Sequence, residues 1–298
     1  MNRFTIALLG TALTLLLAVE ALTVCRFDRT SKVQRREVEQ RRALLAVKDT
    51  NSTSPSHIAV LGNSLLLEGV NVQILARQTE AEAIPVPYFV LATDYYDWYF
   101  GLRRLFAEGM RPRYVLLGLS PNQLASLHTR GEYSAQYLFR GEDLIEVAQK
   151  THMDATTTTS FMLAHISKYY STREITRGYI LSKLLPDVTE LLHEKLGAVR
   201  DPAIPEATLY TLARDRLMCL DGLALANGAQ FMLVVPPTYQ SGSEAIVHAG
   251  KDLGIPVLIP VPSDELDQSS FQSDGFHLNE KGATLFTNRL AADLRNTL

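Results

Sequence analysis

The sequence predicts an α/β fold: a parallel sheet of about five strands covered by helices and preceded by an N-terminal transmembrane helix. Three observations predict it. From His57 to the C-terminus, apolar runs of strand length alternate with helical patterns, the rhythm of a parallel sheet. The stretch IAVLGNSLLLEG, residues 58–69, reads as a buried strand, a tight turn and a helix start. Residues 4–25 are apolar or small apart from Glu20, long enough to cross a bilayer at roughly 20 residues per span.

Composition narrows the function classes. The chain has 298 residues, 46% of them hydrophobic, so a sizeable core is affordable. A net charge of −3 lacks the basic excess of a nucleic-acid-binding surface. Cys25 and Cys219 offer neither zinc spacing nor a disulfide framework.

Residues 1–25 read as a retained membrane anchor. A cleaved signal is the second reading, without a small-x-small site to support it. A lipoprotein signal is the third, since LTVC ends at Cys25, although Val24 stands where a small residue is usual. Arg26, Arg29, Lys32, Arg35 and Arg36 follow the run, and taken alone favour a cytoplasmic domain. Long domains translocate largely regardless of such charge, so the count leaves the side open. Residues 26–56 read as a juxtamembrane stalk and linker: a solvated helix over 26–42, then TNSTSPS at 50–56, where the domain boundary is placed.

The domain at 57–298 then runs in order. Strand one covers 57–61, with a helix through Val72 and Leu75 behind it. Strand two covers 88–92. The helix over 95–107 carries Tyr95, Tyr96, Trp98, Tyr99 and Phe100, read as packing on the sheet. Strand three covers 113–119 and leads into SPNQL. Residues from about 125 to 200 break the rhythm and form a helical insertion. Its best helix is PDVTELLHEKLG at 186–197, with a loop predicted at TTTTS, 156–160. Tyr169, Tyr170, Arg173 and Arg177 read as the exposed side of a helix. A helix over 207–226, strand four over 230–235, a helix over 243–253 and strand five over 256–259 resume the pattern. A polar loop leads to SDGFHLNEKG and a last helix capped by Asn279, with Leu285, Phe286, Leu290 and Leu294 facing inward.

Two of these loops carry chemistry. Ser64 on the first turn is the candidate nucleophile, lifted to the sheet edge at the start of a helix. A serine needs a base, a group to orient that base, and donors for the developing oxyanion. His277 is the candidate base, and Asp274, three residues earlier, the candidate orienting acid. Both loops follow a strand and precede a helix, so both belong to the carboxyl edge of the sheet, where open α/β folds bind ligands. The Ser64 hydroxyl is expected within about 3–4 Å of a His277 ring nitrogen. The remaining histidines lack the spacing of a metal site, so no metal or other cofactor is expected.

GNS after strand one, with DGFHLN before the last helix, resembles the SGNH (GDSL-type) hydrolase superfamily. The resemblance covers roughly His57 to Leu298 and implies a flavodoxin-like three-layer α/β/α fold. It implies Ser64 as nucleophile, Asp274 as orienting acid and His277 as base. The oxyanion donors would be the Ser64 backbone N–H and, from the third block, Asn122 in GLSPN. The second-block glycine is replaced within LATD, so Ala92 or Thr93 would supply that N–H. Asn63 replaces the usual aspartate of the first block. With an anchor and a helical insertion, the chain resembles the membrane-attached proteins that work with membrane-bound O-acyltransferases on envelope polymers, as in alginate acetylation or lipoteichoic-acid D-alanylation. The implied activity is that of a serine esterase or O-acyltransferase on a cell-envelope polysaccharide, periplasmic or extracellular. The implied partners are an acylated or acyl-accepting glycan and a membrane-bound O-acyltransferase. The alternative is a non-catalytic assembly or glycan-binding protein on the same fold.

Overall fold

The computed structural model describes residues 2–49, 56–184, 204–238 and 242–298. Its centre is one all-parallel sheet of β1 (Ser56–Gly62), β2 (Ala83–Phe89), β3 (Tyr114–Gly118), β4 (Gln230–Val234) and β5 (Val257–Leu258). The strand order is β2-β1-β3-β4-β5. Side chains alternate between faces with the strand period of two. Ile58, Val60, Tyr114, Leu116, Met232 and Val234 share one apolar layer. Ala59, Leu61, Val115, Leu117, Phe231 and Leu233 share the other.

Both layers are covered, which is why the strands read as unbroken apolar runs. The helices α3 (Ser64–Gly69), α4 (Val72–Thr79) and α13 (Glu280–Thr297) cover the first. The helices α2 (Lys32–Leu45), α5 (Tyr95–Ala107), α11 (Glu206–Leu225) and α12 (Ser243–Leu253) cover the second. The chain leaves β1 sideways through α3 and α4 to β2, then crosses back through α5 to β3. The reversal opens a crevice beyond the carboxyl ends of β1 and β3. Between β3 and β4 lie α6 (Pro121–Ala125), α7 (Glu132–Tyr137), α8 (Leu144–Lys150), α9 (Ala155–Ile166) and α10 (Lys168–Leu184). The helix expected over 186–197 and most of the expected linker fall outside the described residues.

Four expectations need correction. Strand two begins five residues early, at Ala83, and ends at Phe89, short of Ala92. It contains Pro85 and Pro87, which only an edge strand tolerates. Both share parity with Phe89, whose N–H points outward to Gln40 Oε1 at 3.1 Å. The missing proline N–H groups therefore cost the ladder nothing. TTTTS is helical, inside α9. Asp154 caps that helix by accepting from the Thr157 N–H at 2.7 Å. Thr158 and Thr159 donate their hydroxyls to carbonyls four residues back, both at 2.8 Å, the in-helix solution open to threonine. Leu285 is exposed, because 286, 290 and 294 form the buried row and 285 lies beside it.

The fourth correction concerns the stalk. The helix α2 lies on the domain, with Leu44, Gln34 and Glu37 buried. Arg36 donates to the Phe89 carbonyl at 3.4 Å, and Arg41 pairs with Glu108. Past its end, the Asp49 carboxylate accepts from the backbone N–H groups of His57 at 2.7 Å and Arg113 at 2.9 Å. Thus α2 starts near the carboxyl end of β2 and finishes at the amino ends of β1 and β3, antiparallel to the strands. Ahead of it runs α1 (Arg3–Thr30), whose stretch from Arg3 to Arg26 is long and apolar enough to cross a membrane, with none of its apolar window buried in the protein.

Candidate active site

The site begins where β1 runs out. Asn63 is fully buried. Its Oδ1 accepts from the Leu65 N–H at 3.0 Å, which caps α3, and its Nδ2 donates to the Thr93 carbonyl at 2.9 Å. The turn bearing Ser64 is thereby tied to the loop after β2. An aspartate could cap the helix but could not donate to Thr93. Two glycines set the height of the turn. Gly62 and Gly118 are register partners on β1 and β3, and Leu66 of α3 rests on both. A Cβ on Gly118 would lie 2.3 Å from the Leu66 side chain, and one on Gly62 would lie 2.9 Å away. This close approach presses the start of α3 onto the sheet and leaves Ser64 half-exposed at its rim.

The opposing loop is built with equal economy. Phe271 and Leu278 bridge as an antiparallel pair, and Gly275 turns the chain with φ of 67°. Asn279 caps α13 through Oδ1, accepting from Lys281 and Gly282. Its Nδ2 donates to the Ser269 and Phe271 carbonyls at 2.7 and 2.9 Å. Gly282 lets α13 approach closely, since a Cβ there would meet the Ser270 carbonyl oxygen at 2.3 Å.

These two loops meet. His277 Nε2 lies 2.9 Å from Ser64 Oγ, across 213 positions of sequence. His277 Nδ1 lies 2.7 Å from Asp274 Oδ2. A carboxylate only accepts, so the ring proton sits on Nδ1 and the Nε2 lone pair faces the serine hydroxyl. The other oxygen of Asp274 accepts from the backbone N–H groups of Phe276 at 2.9 Å and His277 at 3.0 Å. Partial burial works against the charge on Asp274. The hydrogen bonds from the His277 ring and these two amides outweigh it and hold the carboxyl below its ordinary range. The Phe276 ring stands edge-on to the imidazole at 5.1 Å.

The structure therefore joins Ser64, His277 and Asp274. Ala92 and Asn122 lie on the same carboxyl edge, but among the described residues no hydrogen bond joins either to the three. Ala92 is exposed on the loop after β2, with φ of 53°. Asn122 is half-exposed in the first turn of α6, beyond β3. A capping box holds that turn, with the Gln123 side chain accepting from the Ser120 N–H at 3.0 Å.

Arg216 of α11 is a supporting residue that sequence reasoning missed. It is buried and donates to the Leu124 and Ser126 carbonyls at the end of α6. Its guanidinium lies over the Tyr95 and Tyr96 rings, at 4.5 and 5.2 Å. The signal was present: Arg216 falls on the buried stripe of Leu209, Ala213 and Leu220. Among the described residues no group of three His, Cys, Asp or Glu side chains is placed to hold a metal. No protein-family model matches this chain, and no curated protein matches it significantly.

Proposed function

We propose that this protein is a membrane-anchored serine esterase or O-acyltransferase of the SGNH type, acting on acyl esters of a cell-envelope polysaccharide. The observation that carries the reading is the continuous relay from Ser64 Oγ through His277 to Asp274, at 2.9 and 2.7 Å. The strand order β2-β1-β3-β4-β5 supports it, being the 2-1-3-4-5 order of flavodoxin-like sheets.

In this reading Ser64 Oγ attacks the acyl carbonyl and passes its proton to His277 Nε2. Asp274 fixes the imidazole tautomer and stabilises the imidazolium that forms. His277 then protonates the leaving alkoxide, leaving an acyl ester on Ser64. Water or a glycan hydroxyl, deprotonated by the same imidazole, releases the acyl group and restores the enzyme. The Ser64 backbone N–H takes part in no hydrogen bond among the described residues, so it is free to receive the oxyanion. Ala92 and Asn122 are the further donors this reading assigns. The anchor would hold the domain on the periplasmic or extracellular face, beside a membrane-bound O-acyltransferase.

A serine-directed fluorophosphonate tests the chemistry on the full chain in detergent. Wild-type protein is expected to take the label stoichiometrically, and Ser64→Ala to take none while melting at the same temperature. A folded wild-type protein that resists the reagent would leave the fold with a binding role.

A further inference from the structure

We propose that the corner between α9 and α10 is a bilayer-contact surface. On this view Met162, Leu163, Ile166 and Tyr169 sit in the interfacial layer of the membrane that α1 crosses. The inference rests on the anchor in the reading above and is independent of the triad.

Glu20 carries the argument. It is the one acidic residue within the apolar stretch of α1. Its carboxylate accepts from the Ser167 hydroxyl at 2.6 Å and from the backbone N–H groups of Lys168 at 2.7 Å and Tyr169 at 3.2 Å. These are the groups at the start of α10, so the anchor caps a helix of the domain. The bond also fixes depth. Glu20 lies five residues before Cys25, the end of the apolar run, or about 8 Å along a helix at 1.5 Å per residue. The α9–α10 corner is thus held at a level inside that run. Helices lying in a membrane interface bury their apolar face to a similar depth, about 5–10 Å.

The side chains at the corner fit that layer. The first half of α9 is Ala-Thr-Thr-Thr-Thr-Ser and the second half Phe-Met-Leu-Ala-His-Ile. Phe161 and Ala164 turn inward and are buried. Met162, Leu163 and Ile166 turn outward, Ile166 at 77% exposure. The helix therefore changes from polar to apolar along its axis, toward the end that Glu20 holds. Tyr169 is exposed at the same corner, with the apolar body and polar tip suited to a headgroup boundary. In water such a cluster would be an unfavourable exposed patch. Against lipid it extends the apolar surface of α1.

Spin-label accessibility tests this in the full-length chain, reconstituted in phosphatidylethanolamine–phosphatidylglycerol vesicles. Cys25 and Cys219 are both exposed and are replaced by serine. Single cysteines are then placed at Leu13, Thr156, Leu163 and Ile166. All four side chains are exposed, so labelling disturbs no core. The expected result is collision with oxygen and loss of collision with a water-soluble nickel chelate at Leu13, Leu163 and Ile166, with the reverse at Thr156. Chelate access at Leu163 and Ile166 with Leu13 immersed would overturn the corner proposal and leave the anchor standing. Chelate access at Leu13 would remove the anchor, and the corner proposal with it. Immersion of Thr156 as deep as Ile166 would also overturn the corner geometry.

Discussion

Ser64 is an ordinary hydroxyl until Nε2 of His277 can take its proton, and each partner in the relay has a distinct expected failure. Ser64→Ala is expected to lower kcat for ester hydrolysis by at least about 10⁴-fold, measured against a p-nitrophenyl ester. Asp274→Asn keeps the shape but puts an amide where the carboxylate held the Nδ1 proton, with a loss of about 10⁴-fold. Asp274 is held below the ordinary carboxylate range by its three hydrogen bonds. It therefore stays ionised well into the acid range, and loss of activity on its protonation is expected only below the pH at which a free aspartate titrates, checked by a pH–rate profile. Asn63→Asp tests the turn below. It removes the donor to the Thr93 carbonyl and sets a carboxylate against that oxygen, at an expected cost of about 1–3 kcal/mol in a denaturant melt.

At the scale of elements, the periodic parts were legible and the tertiary ones were not. The helix expected over 243–253 is observed at those bounds. GNS and DGFHLN marked the two loops that meet, because turn and cap chemistry is local. The expected start of strand two failed because prolines argue against strands unless the outer edge is known to be free. The Gly62–Gly118 seat for Leu66 was illegible, since it depends on a register that periodicity does not carry. Gly118→Ala is expected to lift α3 and lower the rate of fluorophosphonate labelling with little loss of secondary structure, as seen by circular dichroism. The first turn of α5 holds another hidden device. Burial pushes the Asp97 carboxyl up to about 7, against hydrogen bonds from the backbone N–H groups of Asp94 and Arg130. Burial also raises Glu37 nearby. Unfolded, an aspartate titrates near about 3.9. Between those values the folded protein holds a proton the unfolded chain lacks, so stability falls as pH rises from about 4 to about 7, then levels. Melting temperature against pH is expected to show this slope, and Asp97→Asn to flatten it.

At the scale of the molecule, the apolar helix α1 and the rim where Ser64 meets His277 share one end of the domain. The stalk is a rib of the α/β body, clamped near the carboxyl end of β2 by Arg36 and Gln40 and at the opposite end by Asp49. Leu44→Ala, at a fully buried position, is expected to cost about 2–5 kcal/mol of unfolding free energy. That rib also decides where a protease could shed the protein intact. Severed at Ser31, where the helix breaks, the released body is expected to keep its flank sheathed and to stay dispersed by light scattering. Severed at residues 50–55, it forfeits Leu44 and Val47 and bares the outer margin of β2. The second fragment is expected to recruit its own copies there and precipitate.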